Sequence, residues 1–285
     1  MARGRPALEL CWGTARGVGL VELIDIAGVT GYRSLAVRPS MYFEARAEGF
    51  TDGELRSRLD DAGVVVGVVD PLTAGLPGIP PAAEVDPRLR SFLAYGEDDC
   101  YTTAEGLGAT TVNLAHFLGR PQPLDRLAEA IGAVAGRAVE RGLRLSLEFI
   151  PLTGIPDLAA ALELRRVVGQ PNLGVMFDTW HFTRSGGTVG DVLDLPPGAV
   201  TGLQVSDATA DALTGPYVPM VDRLVPGTGT LPLVPLLSAL LEGSPDLHVG
   251  VEVFRGDLRR MGAAAAADLV AQAMRPILDQ LADPA

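Results

Sequence analysis

At 285 residues, with 47% hydrophobic and 20% charged side chains, the chain has the composition of a globular protein with a large core and lies far from a disordered profile. Its net charge of −12 opposes binding to a phosphate backbone, and all 23 basic residues are arginine, which excludes Schiff-base and lysine-held pyridoxal chemistry because both need a side-chain amine. Two cysteines, Cys11 and Cys100, are too few for a disulfide framework or a zinc ribbon.

Both cysteines are expected as small buried hydrophobes. With no secretory leader pattern and no apolar stretch near the ~18 residues of a membrane span, the expected setting is cytoplasmic. Short valine- and leucine-rich runs recur along the chain, each followed by a longer amphipathic segment. That alternation is the signature of parallel strands joined by crossover helices. In chain order the strands are expected at 7–12, 34–37, 64–69, 110–114, 144–149, 173–178, 200–205 and 247–254. Helical spacing covers 20–29, 53–62, 88–107, 124–141, 155–168, 231–242 and 262–281, with a short helix near 188–194 between the sixth and seventh strands.

Glycines in the turns before strands, at Gly31, Gly63, Gly108, Gly142 and Gly202, fit helices that end in a left-handed residue. One long irregular stretch, 70–87, carries prolines at 71, 77, 80, 81 and 87 and follows the third strand. It reads either as a loop over the catalytic face or as a plain surface excursion. Eight strand and helix alternations with no shift in composition predict an α/β fold, a single (β/α)8 TIM barrel domain spanning 1–285. The active site is expected at the C-terminal ends of its strands.

Four late strands carry a polar residue inside an apolar run: Glu148 in the fifth, Asp178 in the sixth, Gln204 in the seventh and Glu252 in the eighth. A buried carboxylate is costly unless it is paired or bound to metal, so one such residue often has a structural partner, but three at equivalent positions point to a site. Oxygen donors with one carboxamide suit Mn²⁺ or Mg²⁺ first, then Co²⁺, better than a tetrahedral Zn²⁺ centre built on cysteine and histidine. An ion there would hold the oxygens of a polyol and stabilise the enediolate formed when a carbon acid loses its proton, with two glutamates exchanging that proton.

These residues, together with Asp178-Thr179-Trp180-His181, the 204–207 segment and Pro226-Gly227-Thr228-Gly229, resemble the xylose isomerase-like barrel superfamily. The sugar phosphate isomerase/epimerase group within it is the best match, and the likeness covers mainly 143–256. The resemblance implies that Glu148, Asp178 and Glu252 hold a divalent metal, with Gln204 at the fourth ligand position, that Glu148 and Glu252 also form the acid/base pair, and that His181 and Arg223 contact substrate. The chain departs at Gln204, where many members place a histidine, which predicts weaker or harder-ion binding, or a lost metal.

Among the remaining candidates, His116 after the fourth strand reads equally as a substrate contact or as loop packing, and His248 reads as structural. Trp12, with Trp180 and Tyr42, reads as an apolar wall or as core. The Pro226 to Gly229 turn lacks dinucleotide spacing, so no nucleotide cofactor is expected. The expected partner is a small-molecule substrate, with no nucleic acid and no membrane, and a homo-oligomer is compatible with the sequence. The leading function is a metal-assisted isomerase or epimerase moving a proton next to the carbonyl of a sugar, a cyclitol or a similar keto compound. The alternatives are a lyase or dehydratase acting through the same enolate and a non-catalytic barrel. Three histidines and the acidic charge argue against a multi-zinc endonuclease.

Overall fold

The computed structural model describes residues 5–218, 220–221 and 223–282. Eight parallel strands close into a barrel in the order β1 to β8: Leu8–Cys11, Ser34–Val37, Val65–Leu72, Thr111–Ala115, Arg144–Glu148, Leu173–Asp178, Val200–Val205 and Val249–Val251. The long helices between them are α1 (Leu20–Thr30), α3 (Asp52–Ala62), α4 (Glu97–Leu107), α5 (Leu124–Glu140), α6 (Leu158–Val168), α9 (Leu233–Gly243) and α11 (Ala263–Ala282). This is the (β/α)8 TIM barrel that the alternation of apolar runs predicts. Among the described residues no helix is long and apolar enough to cross a membrane.

Four further helices were not expected from the spacing. They are α2 (Pro39–Ala47), α7 (Thr179–Arg184), α8 (Ala210–Thr214) and α10 (Gly256–Met261), and two of them, α2 and α7, start within two residues of a strand end. The helix expected over 88–107 is broken: a 3-10 turn covers Arg90–Leu93, and α4 begins only after Gly96, whose N–H is taken by Asp99 Oδ2 at 2.8 Å. The short helix near 188–194 is a 3-10 turn over Val189–Val192.

Left-handed glycines do end the turns before strands at Gly31, Gly63, Gly108 and Gly142. Gly202 is a correction: it lies inside β7, where a Cβ would meet the Met176 Cε at 2.5 Å, so its bareness makes room inside the barrel. The turn before β7 uses Gly198 instead, at φ 70°.

Alternation along the strands sorts two cores. Leu8, Leu10, Leu35, Val112, Leu145, Leu147 and Val175 face the helices and join the main apolar cluster, while Cys11, Ala36, Val68 and Met176 form a small cluster of their own. Both cysteines are buried and free, as expected. The second set of positions, on the alternate face of the strands, is otherwise polar and small, with Glu9, Ser34, Asn113 and Ser146 all buried.

Glu9 was not singled out in the sequence, where it looks like one polar residue in Leu-Glu-Leu-Cys. It is 5% exposed, accepts a 2.6 Å bond from the Ser34 hydroxyl, and burial pushes its carboxyl from 4.5 up to about 7, with the Ser34 bond opposing and the Asp70 charge adding. An acid whose folded value is raised stabilises the fold fully below its unfolded value, and that contribution is lost as pH rises through the folded one. The window is therefore 4.5 to about 7, and it carries about 3 kcal/mol. Glu9→Gln should abolish this loss. In urea titrations across pH 4 to 8, the stability difference between variant and wild type should grow by about 1 to 3 kcal/mol toward high pH. Parallel profiles would contradict it.

Candidate active site

The acids expected at the strand ends converge because each strand delivers its last inward position to one mouth. Glu148 closes β5, Asp178 closes β6, Gln204 lies in β7, and Glu252 follows β8 with its N–H still bonded to Val205 O at 3.0 Å. All four are buried, at 6, 0, 2 and 4% exposure. Asp178 doubles as the N-cap of α7, its Oδ1 accepting the His181 N–H at 2.8 Å, which places the His181 ring over the same mouth. The His181 Nε2 stands 3.3 Å from Glu148 Oε1, and the Tyr217 hydroxyl meets Nδ1 at 3.1 Å and can serve either tautomer.

Two members of the site were missed in the sequence. Asn113, in β4, donates its amide to Asp70 Oδ1 at 2.6 Å and to Glu148 Oε2 at 2.7 Å, fixing the Glu148 carboxylate with its other oxygen toward His181. Asp70 accepts a further bond from the Trp12 indole at 2.8 Å. Its place at the head of the 70–87 loop is a correction: β3 runs on to Leu72, and Asp70, two residues after the inward Val68, keeps the inner face of the strand. Burial and the Glu148 charge lift Asp70 to about 6, against the bonds from Asn113 and Trp12 and the Arg38 charge.

Arg223 returns from the loop after β7 and is buried, 2% exposed. Its Nη1 donates to Asp178 Oδ2 at 2.6 Å and lies 3.0 Å from Glu252 Oε2, while Nη2 is 3.4 Å from His181 Nε2. Asp207 anchors that loop. Its two oxygens accept the N–H groups of Ala208, Gly227, Gly229 and Leu231 at 2.8 to 3.0 Å, and its backbone exchanges two bonds with Leu224. The Pro226 to Gly229 turn is thus a cradle for a protein carboxylate, and it sets the entry of Arg223.

Burial pushes the Asp178 carboxyl up, but the guanidinium, His181 and the His181 N–H outweigh it and hold the group below its ordinary value. Glu252 goes the other way. Burial raises it well above the ordinary range, Arg223 offsets only part, and Asp70, Asp178 and Glu148 push in the same direction as burial. Its Oε1 accepts the Gln204 amide at 3.3 Å. One pocket, of about 430 Å³ counted to its open mouth, is lined by Asp70, Glu148, His181, Tyr217, Arg223 and Glu252 on its polar side. Asp178 and Gln204 lie behind this surface.

The apolar wall is made by Trp12, Phe92, Phe117 and Phe254. Trp12 packs edge-on against Phe254 at 5.4 Å, and Arg38 covers Trp12 and Phe92 at 5.0 and 4.7 Å. Trp180 and Tyr42 take no part: Trp180 is buried beneath Arg184, and Tyr42 bonds Asp52 between helices. His116 also lies outside the pocket lining. Its Nε2 bonds Pro77 O at 2.7 Å and its Nδ1 accepts the Gly154 N–H at 3.1 Å, so it clips two loops together, and burial lowers its pKa. His248 is half-buried just before β8.

The donor set fits a divalent cation. Four buried carboxyls, of Asp70, Glu148, Asp178 and Glu252, gather at one mouth, and among the described residues the Gln204 Oε1 is a buried oxygen with no hydrogen-bond partner. Among the described residues, Glu148, Asp178 and His181 bring one ligand atom each within 4.8 Å of one another, so His181 joins two of the expected ligands. Glu252 stands outside that group, across Arg223 Nη1.

A closed parallel barrel with acids, a histidine and an arginine gathered at the C-terminal mouth has the layout of a barrel enzyme. The model of one family, described as xylose isomerase-like TIM barrel, matches residues 24–278, and the chain belongs to that family. A Streptomyces coelicolor protein named "Putative hydroxypyruvate isomerase" is 32% identical over 226 residues, covering 71% of this chain and 74% of that one. An inosose isomerase of Halalkalibacterium halodurans is 31% identical over 124 residues, and the match spans 43% of each chain, less than half of that enzyme's length. Among solved structures, the IOLI protein with a bound zinc atom superposes with a TM-score of 0.80 over 96% of this chain and 98% of its own, at 18% identity, a likeness of fold.

Proposed function

We propose that the protein interconverts isomers of a small hydroxylated keto compound by moving a proton at the carbon next to the carbonyl. The observation that carries this reading is the pair Glu148 and Glu252, which reach one pocket from β5 and from beyond β8, with His181 and Arg223 between them. Substrate entering this pocket lies against Trp12 and Phe254 and meets two carboxyls held in different ways. Burial raises the Glu252 carboxyl well above its ordinary value, while Glu148 is tethered by Asn113 through one oxygen and turns the other toward His181. One abstracts the proton and the other returns it at the neighbouring position. Arg223 and His181 supply hydrogen bonds to substrate oxygens, and the aromatic wall keeps water from the reacting carbons.

The residues that would hold a metal are Glu148, Asp178, Gln204 through its free oxygen, Glu252 and His181. The oxygen-rich set favours Mn²⁺ or Mg²⁺. Such an ion supplies Lewis-acid polarisation of the substrate carbonyl. The names of the relatives motivate two probe substrates, hydroxypyruvate and a keto-inositol. Incubation of each with the Mn²⁺-loaded and the chelated protein, followed by mass and NMR analysis, should give an isomer of unchanged mass from at least one, with the rate falling at least about 10²-fold on chelation. A product lighter by one water would establish a lyase, and no turnover of either probe would remove the support the relatives give.

A further inference from the structure

We propose that the Arg223 guanidinium and a divalent ion compete for the same carboxylate oxygens of Asp178 and Glu252. The proposal rests on the metal-assisted reading above. Its basis is the position of Nη1, 2.6 Å from Asp178 Oδ2 and 3.0 Å from Glu252 Oε2. An ion bridging two carboxylates binds each oxygen at about 2.0 to 2.6 Å. Nη1 stands between the oxygens such an ion would take, and with it in place Glu252 stays outside the group that Glu148, Asp178 and His181 form within 4.8 Å.

The guanidinium is also only partly committed. Among the described residues its Nε is buried without a partner, and its Nη2 makes a long contact, 3.4 Å, to the His181 ring. Its carbon lies 5.3 Å from the centre of the Phe254 ring, and Phe254 lines the pocket, so a displaced guanidinium has a face to lie on beside the substrate. The backbone that carries it is held by the Asp207 cradle and the bonds between Asp207 and Leu224, which confines the exchange to the side chain. Two cations close together at those carboxylates repel, so each lowers the affinity of the other, and by linkage removal of one strengthens the other.

The test uses the full chain and Mn²⁺ alone, without substrate. Calorimetric titration, checked by paramagnetic resonance of free Mn²⁺, compares the wild type with Arg223→Gln. The variant is expected to bind Mn²⁺ about 10-fold tighter, and its melting temperature should fall below that of the wild type in chelator but approach it under saturating Mn²⁺. Arg223→Lys keeps the charge on a shorter, differently shaped head and serves if the glutamine variant does not fold, with a smaller gain expected. Unchanged or weaker Mn²⁺ binding in the variants, with the wild type binding, would overturn the competition and leave the metal-assisted reading standing. Binding by none of the proteins would overturn both.

Discussion

Glu148→Gln and Glu252→Gln are each expected to lower kcat by about 10²- to 10⁴-fold, the range for loss of a positioned proton-transfer group, with the fold retained. Retention follows from the contacts. At 148 an amide keeps an oxygen for the Asn113 donor at 2.7 Å, and at 252 it removes a carboxyl that burial disfavours while Asp178 continues to hold Arg223. Steady-state rates on whichever probe turns over, with circular dichroism and melting on the same samples, check both halves. A rate within about threefold of wild type in either variant would remove that residue from the proton-transfer pair.

Asp178→Asn is expected to act on stability as much as on the site. The new amide can still accept the His181 N–H, but it turns a donor toward Arg223 Nη1, where a carboxylate now accepts at 2.6 Å. Breaking a buried pair of this kind costs about 3 kcal/mol, and Glu252 remains to limit the damage. The folded value of Asp178 lies below its ordinary 3.8, so its contribution is complete above 3.8 and is lost as pH falls through the depressed value. Denaturant titrations should show the full gap between wild type and variant at pH 7 and a shrinking one in acid. A gap that is independent of pH would show that the charge is not what the pair contributes.

The barrel was legible because a strand buried on both faces needs an uninterrupted apolar run, and eight such runs stand out against amphipathic helices. Glu148, Asp178, Gln204 and Glu252 were legible for the same reason, as polar residues in runs that otherwise exclude them. Asp70 was not, because Asp-Pro reads as the start of a loop, and only the continuation of β3 to Leu72 shows it to be inside the barrel. Asn113 and Glu9 were hidden by the alternation of the strands, whose inward face becomes known only when the barrel closes. The depth of Arg223 depends on four amides gathered by Asp207 across twenty-odd residues of loop, a non-local arrangement with no spacing to read. His116 reads equally as a substrate contact or as loop packing from its place after β4, and it packs between loops because Gly119 and Gly154 leave room for its ring.

Proton transfer at the carbon next to the carbonyl is tested by turnover in D₂O with the Mn²⁺-loaded protein, the position of deuterium in the product being read by NMR. Solvent deuterium is expected at the carbon that receives the proton, at near-complete incorporation in the wild type, with little labelled product formed by Glu148→Gln or Glu252→Gln. An isomer formed at full rate with no solvent deuterium would mean that hydrogen moves directly between carbons, and would contradict the roles given to Glu148 and Glu252.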